Sequence, residues 1–227
     1  MTETLILAAI LIPCLIVAIV FHEVAHGWAA LSLGDPTAKE QRRLSLNPLR
    51  HVDPVGTLLV PGFLAVVGGP IFGWAKPVPV MKNRLDNPRF GMMAVAFAGP
   101  ATNFVLAAVG AVALGVFAGS LTAPPEGVAG GVFEGLHYFI LINIFLALFN
   151  LLPIPPFDGS HILEGLLPRS AARAYERLRP LGMLLFVGLI AITWIFPDSG
   201  LIEAVVLPPV EWLQEKYLGI SIAIAGG

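Results

Sequence analysis

The sequence predicts an all-α polytopic membrane protein, with four to six transmembrane helices and a re-entrant loop or short β-hairpin after the first helix. Of its 227 residues, 56% are hydrophobic and only 12% are charged. The mean hydropathy is +0.83, far above that of an ordinary soluble domain. Four apolar stretches, at about 4–30, 91–119, 132–152 and 180–196, are long enough or nearly so to cross a hydrocarbon core of about 30 Å.

The basic residues predict how these stretches are oriented. Lys and Arg follow the first stretch, precede the second and lie between the last two (Lys39, Arg42, Arg43, Arg50; Lys76, Lys82, Arg84, Arg89; Arg169, Arg173, Arg177, Arg179). By the positive-inside rule these three loops are cytoplasmic. The loop 120–131 contains Glu126 and no Lys or Arg, which suits the opposite side. The amino terminus is therefore expected outside.

Two further stretches have less regular patterns. The apolar stretch 55–72 has two flanks that both read as cytoplasmic, and Pro61-Gly62 and Gly68-Gly69-Pro70 interrupt it. We therefore expect it to enter the membrane and return, although a single ordinary helix is the alternative. Residues 200–226 are interrupted by Pro208-Pro209 and by charged residues, so they form either a short span or an interfacial helix.

Composition argues against several other classes of protein. The net charge is -2 and no basic stripe is present, so nucleic-acid binding is not expected. Cys14 is the single cysteine, which leaves neither an intramolecular disulfide nor a cysteine-based zinc site. The first residues lack the basic region of a signal peptide, so we expect the first helix to be retained.

The run His22-Glu23-Val24-Ala25-His26 is an H-E-x-x-H motif at the end of the first apolar stretch. Two histidines four residues apart lie on one face of a helix, so their imidazoles can converge on one metal ion. The intervening Glu23 lies beside the open coordination position, where it can act as a general base. A chance match is the alternative, but ionisable residues within or bordering a span are costly unless they have a function.

A catalytic zinc usually takes three protein ligands and keeps one position for water. The extended motif with a third histidine on the same helix is excluded, because Ala29 and Ser32 occupy its positions. Asp158 lies just past the cytoplasmic end of the third span, at the depth expected for the two histidines. Its alternative role is to cap the helix that follows. The wider set of candidates for the third ligand is His51, Asp53, Glu134, His137, Asp158, His161 and Glu164.

Two motifs together resemble the site-2 protease family of intramembrane zinc metalloproteases, peptidase M50. These are H-E-x-x-H in one span and Asn150-Leu-Leu-Pro-Ile-Pro-Pro-Phe-Asp158-Gly159 in a later one, with Gly99-Pro-Ala-Thr-Asn103 between them. The resemblance covers about residues 15–165. Within that family, the chain is similar to a compact prokaryotic branch without PDZ or CBS domains.

The resemblance implies one zinc ion per chain, bound by His22, His26 and Asp158, with Glu23 as the catalytic base. It implies a single-span membrane protein as substrate and the bilayer of a prokaryotic plasma membrane as surroundings. The charge pattern of the loops, in turn, predicts a site towards the cytoplasm. Asn103 and Asn150 are candidates for substrate or oxyanion contacts, or for bonds between helices. The whole chain, 1–227, is expected to be one domain, with a catalytic core at about 4–165 and C-terminal helices at about 166–227.

A metal-binding transporter or a non-proteolytic scaffold is the alternative from another functional class. Histidines and carboxylates within spans also mark ion pathways. Glu23 distinguishes the two hypotheses, because a transporter has no need for a carboxylate immediately after its first ligand. The sequence therefore favours peptide-bond hydrolysis.

Overall fold

The computed structural model describes residues 2–60, 63–64, 74–195, 200, 204 and 206–226. Within these residues the regular structure is helical, without a β-strand. The α-helices are α1 (Thr2–Ser32), α2 (Thr37–Glu40), α3 (Pro88–Gly119), α4 (Gly127–Asn150), α5 (Asp158–Leu166), α6 (Arg169–Glu176), α7 (Gly182–Ile195) and α8 (Leu207–Ala225). Shorter turns of 3₁₀-helix lie at Pro48–Arg50, Lys82–Arg84 and Arg179–Leu181, and a π-helical segment lies at Pro54–Leu59.

Three of these helices are long and apolar enough to cross a membrane. They contain 28 residues (Leu5–Ser32), 32 residues (Pro88–Gly119) and 24 residues (Gly127–Asn150). At a rise of about 1.5 Å per residue, each exceeds a hydrocarbon core of about 30 Å. Large apolar side chains on them remain exposed, such as Leu5 at 67% and Val105 at 62%. Lipid is the solvent that such surfaces require, so the predicted all-α membrane protein is confirmed.

The boundaries of two helices differ from those of the predicted apolar stretches. Helix α3 begins at Pro88 because the side chain of Asn87 accepts a hydrogen bond from the amide of Phe90, and proline suits the first helical position. Helix α4 begins at Gly127, before the predicted start of its span at 132. Its first two turns are rich in glycine, which lowers the local hydropathy without ending the helix.

For the predicted fourth span and the C-terminal stretch, the described helices do not settle whether the chain crosses the membrane. Helix α7 has 14 residues, or about 21 Å of helix, and is followed by residues 196–199, which lie outside the described part of the chain. Helix α8 is a regular helix because Pro208 and Pro209 fall in its first turn, where their missing N–H groups cost nothing. The count of four to six spans stays a prediction.

The re-entrant expectation for 55–72 falls mostly on residues 61–62 and 65–73, which lie outside the described part. The described part includes the π-helical segment Pro54–Leu59, whose N-cap residue is Asp53. The carboxylate of Asp53 accepts hydrogen bonds from the amides of Val55 and Gly56. Re-entrance of this stretch therefore stays a prediction.

Helix α3 lies at the centre of the bundle and contacts α1, α4, α5 and α8. Small residues on α3 permit this close packing. A Cβ atom added to Gly110 would lie 2.9 Å from the Phe139 ring of α4, and one added to Gly115 would lie 2.6 Å from the Ser221 carbonyl of α8. The buried cluster that joins the three helices contains Ala107, Ala111, Leu114, Ile140, Ile144 and Val210.

An extended segment, residues 74–81, runs from the π-helical segment back to the end of α1. Its backbone is held by hydrogen bonds from the Lys76 amide to the His51 carbonyl and from the Met81 amide to the Asp35 carboxylate. Burial raises the pKa of Asp35, but hydrogen bonds from Thr37 and Met81 outweigh that effect and lower it overall. The segment is therefore anchored at both ends of its path beside α1.

Candidate metal and active site

Helix α1 supplies His22, Glu23 and His26 from its last three turns. The two histidines are 6% and 8% exposed, and their ring centroids lie 4.6 Å apart. Their Nε2 atoms are 3.0 Å apart, as expected for residues on one helical face. The predicted convergence of the two imidazoles is therefore present in the structure.

Asp158 completes the group from the first turn of α5. Its Oδ2 lies 3.1 Å from Nε2 of His22 and 3.3 Å from Nε2 of His26. The side chain does not cap its own helix: Asp158 is the first residue of α5, and the N-cap position is Phe157. Of the seven candidates for a third ligand, the structure therefore brings Asp158 to the two histidines.

Five of the other six candidates have hydrogen-bond partners elsewhere, and the sixth is exposed. Nε2 of His51 donates to the Ser45 carbonyl. Nε2 of His137 accepts from the Gln214 amide nitrogen, and Nδ1 of His161 accepts from Arg179. Asp53 caps the π-helical segment, Glu164 bonds to Lys82, and Glu134 is exposed. Among the described residues, the one group of three or more potential metal ligands is His22, His26 and Asp158, whose ligand atoms lie within 4.8 Å of one another.

The second nitrogen of each imidazole is held by a hydrogen bond to α3. Nδ1 of His22 lies 2.6 Å from Oδ1 of Asn103, and Nδ1 of His26 lies 2.7 Å from the Val95 carbonyl. Since a carbonyl oxygen can only accept, His26 donates from Nδ1, and the amide oxygen of Asn103 requires the same of His22. In its neutral form each ring therefore has its free lone pair on Nε2, which faces the space beside Asp158, and this is the form that binds a metal.

Asn103 lies behind His22, on the Nδ1 side of a ring whose Nε2 faces Asp158. It is fully buried, and its amide nitrogen donates to the Ala18 carbonyl at 3.2 Å and to Oδ1 of Asn143 at 2.8 Å. This arrangement supports a positioning role for Asn103, and the direct oxyanion contact considered from the sequence stays a prediction. Asn150 is partly exposed and donates to the Leu146 carbonyl of its own helix, so its substrate contact stays a proposal.

Sequence reasoning did not single out Asn143 or Val78. Asn143 is fully buried in the middle of α4, and its amide donates to the Phe139 carbonyl while its oxygen supports Asn103. A lone amide side chain within an apolar span needs a hydrogen-bond partner, and this requirement could have drawn attention to Asn143 in the sequence. The Val78 amide donates to Oε2 of Glu23 at 2.7 Å. Pro77 and Pro79 flank it and have no N–H, so Val78 is the one donor of this tripeptide.

Comparison with known proteins identifies the family. The chain is 37% identical over 177 residues to YwhC of Bacillus subtilis, named as a candidate zinc metalloprotease, and the match covers 78% of each protein. The chain belongs to peptidase family M50, the site-2 protease family. The M50 family model itself matches residues 120–193. No solved structure matches the chain significantly.

Two other relatives carry similar names. Rip2 of Mycolicibacterium smegmatis is 28% identical over 82% of this chain and 72% of its own length. MJ0611 of Methanocaldococcus jannaschii is 41% identical over 47% of this chain and 50% of its own length. Both are named as candidate zinc metalloproteases. This M50 chain is accordingly a zinc metalloprotease and an integral membrane protein, and the transporter and scaffold alternatives lose their support.

The residues of the M50 site fit a zinc ion. Two imidazole nitrogens and a carboxylate oxygen are the donor set of many catalytic zinc sites, and tetrahedral zinc places such donors about 3.3–3.6 Å apart. The three donor atoms here are 3.0, 3.1 and 3.3 Å apart, so they need to separate only slightly to hold the ion. Gly99 of α3 faces the same space: a Cβ added there would lie 2.5 Å from Nε2 of His26 and 2.6 Å from Cε1 of His22. Glycine at 99 therefore leaves room that any other residue would take from the two rings.

We expect Gly99→Ala to weaken zinc binding by about 10–100-fold, comparable to the loss of a group that orients a ligand. The added methyl group cannot be accommodated by small ring movements, because Asn103 and the Val95 carbonyl hold both rings. Competition with a zinc chelator measures the affinity. Gly219→Ala is the matched control, since a Cβ there meets nothing within 4 Å. Equal affinities for the two variants would show that Gly99 does not shape the site.

Proposed function

We propose that this chain hydrolyses peptide bonds in or near the transmembrane segments of membrane-protein substrates. His22, His26 and Asp158 are the proposed zinc ligands, and Glu23 is the proposed general base. The observation that carries the proposal is the meeting of these three ligand side chains at one end of a helix long and apolar enough to span a membrane. An ordinary soluble substrate would not require a site in this position.

The chain's own residues divide the chemistry between them. Zinc supplies Lewis-acid chemistry, which polarises a carbonyl and acidifies water. Glu23 takes the proton from the attacking water and later returns it to the leaving amine. The Val78 amide holds Oε2 of Glu23, so the carboxylate has one oxygen oriented by the backbone and the other available for proton transfer. Asn103 and the Val95 carbonyl keep both imidazoles in the form that can bind zinc.

The proposed site lies towards the cytoplasmic side. His22 and His26 are near the end of α1, and Lys39, Arg42 and Arg43 follow within the next loops. Asp158 follows the end of α4 and precedes the arginines of α6. Both ends are cytoplasmic by the positive-inside rule, which supports an external amino terminus.

The test uses a model single-span substrate of known orientation, reconstituted with the enzyme in liposomes. We expect mass spectrometry to place the cut in the cytoplasmic half of its span. Replacing Gly and Pro of the substrate helix by Leu should slow cleavage about tenfold or more, because these residues lower the cost of unwinding. Cuts found only in soluble tails would refute the intramembrane claim, and a cut in the outer half would refute the orientation.

A further inference from the structure

A cleft separate from the metal site lies between the start of α3, the turn Lys82–Arg84, and helices α5 and α6. Its volume is about 380 Å³, within the range of small-ligand sites. Charged side chains dominate its lining: Lys82, Arg89, Glu164, Arg169, Arg173 and Glu176. Four cations therefore face two carboxylates.

One of those carboxylates is already neutralised from two sides. Oε1 of Glu164 lies 2.7 Å from Nζ of Lys82, and Oε2 accepts a hydrogen bond from Arg179. Burial raises the pKa of Glu164, but the hydrogen bond from Lys82 and the charge of Arg179 outweigh it and hold the pKa below its usual value. Glu164 is therefore ionised at neutral pH and engaged with cations other than the arginines of α6.

The other three cations of the lining, Arg89, Arg169 and Arg173, are not neutralised by an ion pair within the described part of the chain. Nε of Arg89 donates to the Gly165 carbonyl at 3.1 Å, and its Nη2 donates to the Leu167 carbonyl. These partners are uncharged, so they fix the guanidinium in place without neutralising it. Arg169 and Arg173 on α6 form no ion pair within the described part of the chain. Glu176 is the one lining carboxylate left to balance three guanidinium groups.

We propose that this cleft binds a phosphate-bearing anion, either the headgroup of an anionic phospholipid or free phosphate. Guanidinium groups match phosphate oxygens with paired N–H donors, and Arg89 uses only two of its five. Basic pockets beside transmembrane helices on the cytoplasmic side are typical sites for anionic headgroups. A merely solvated basic face is the competing explanation, but such a face would not need Arg89 fixed at the wall of a cleft.

The site is independent of the proposed proteolysis, although it shares helix α5 with the metal site. Asp158 begins that helix, while Glu164 and the carbonyl of Gly165 lie at its other end. An anion bound between α3, α5 and α6 would therefore join elements that also position Asp158. Binding itself, measured without substrate, is the property to be tested.

The test measures binding to the purified full chain in neutral detergent by native mass spectrometry and by thermal unfolding. The probes are phosphatidylglycerol, zwitterionic phosphatidylcholine and inorganic phosphate. We expect phosphatidylglycerol to bind more tightly than phosphatidylcholine. The double variant Arg169→Gln, Arg173→Gln should weaken its binding about 30-fold, because each basic residue near an anionic headgroup contributes roughly a fivefold factor. Competition by inorganic phosphate would assign the site to free phosphate; its absence would assign it to the lipid.

Two further variants keep the result interpretable. Arg177→Gln removes a charge just beyond α6 without touching the cleft lining, so its affinity should change less than twofold. Ala172→Glu places a carboxylate inside the cleft and should weaken binding at least tenfold without removing any arginine. The proposal is overturned if neither phosphatidylglycerol nor phosphate binds preferentially. It is equally overturned if Arg177→Gln weakens binding as much as the cleft variants, since that would indicate diffuse surface charge.

Discussion

Glu23→Gln is expected to lower the rate of peptide-bond cleavage by about 10²–10⁴-fold, the usual contribution of a general base. Glutamine keeps the size of the side chain and can still accept a hydrogen bond from the Val78 amide, but it cannot take a proton from water. The rate is measured with the single-span substrate in liposomes. Zinc content should stay near one ion per chain, because Glu23 is not among the three converging ligands.

Glu134→Gln provides the control for this variant. Glu134 is an exposed glutamate whose neighbour Gly135 accepts a hydrogen bond from Cys14, away from the three converging ligands, so its replacement should leave the rate unchanged. Unchanged cleavage by Glu23→Gln would refute the proposed chemistry. Loss of zinc together with loss of cleavage would instead move Glu23 from the role of base to the role of ligand.

His22→Ala and Asp158→Ala are each expected to weaken zinc binding by more than about 100-fold, the upper cost of losing a group that merely orients a ligand. Each removes one of the three donors that surround the proposed metal position. Asp158→Ala also removes the one anionic donor, so two neutral nitrogens would have to hold the ion alone. Chelator competition followed by metal analysis of the purified protein measures both affinities, and cleavage should fall in parallel.

His137→Ala and His161→Ala are the matched controls for the ligand variants. Both residues were candidates by residue type, but the structure places them at Gln214 and Arg179. Their replacement should leave zinc affinity within about twofold of the unaltered chain, because neither side chain belongs to the group of converging ligands. Zinc binding that survives in Asp158→Ala and is lost in His161→Ala would transfer the third-ligand role to His161.

Hydropathy and helical spacing were sufficient to predict the long helices and the two histidines of the site. Long, predominantly apolar stretches predict α1, α3 and α4, because a chain in lipid must satisfy its backbone internally. The pairing of His22 with His26 follows from helical geometry alone. Helix ends were less accurate, since the start of α3 depends on the Asn87 cap and the glycines of α4 hide its first turns from a hydropathy pattern.

The sequence by itself determined the membrane class, the long helices, the H-E-x-x-H pair and a short set of candidates for the third ligand. The paired motifs singled out Asp158 only through their resemblance to a family, and the tertiary structure brought its carboxylate to the two histidines. Only the tertiary structure placed Asn103 and Asn143 behind His22 and brought the Val78 amide to Glu23. The reason is the range of the interactions. Helical periodicity and hydropathy act between residues a few positions apart, whereas Asp158 is 136 positions from His22 and meets it only after α1, α3 and α5 have packed together.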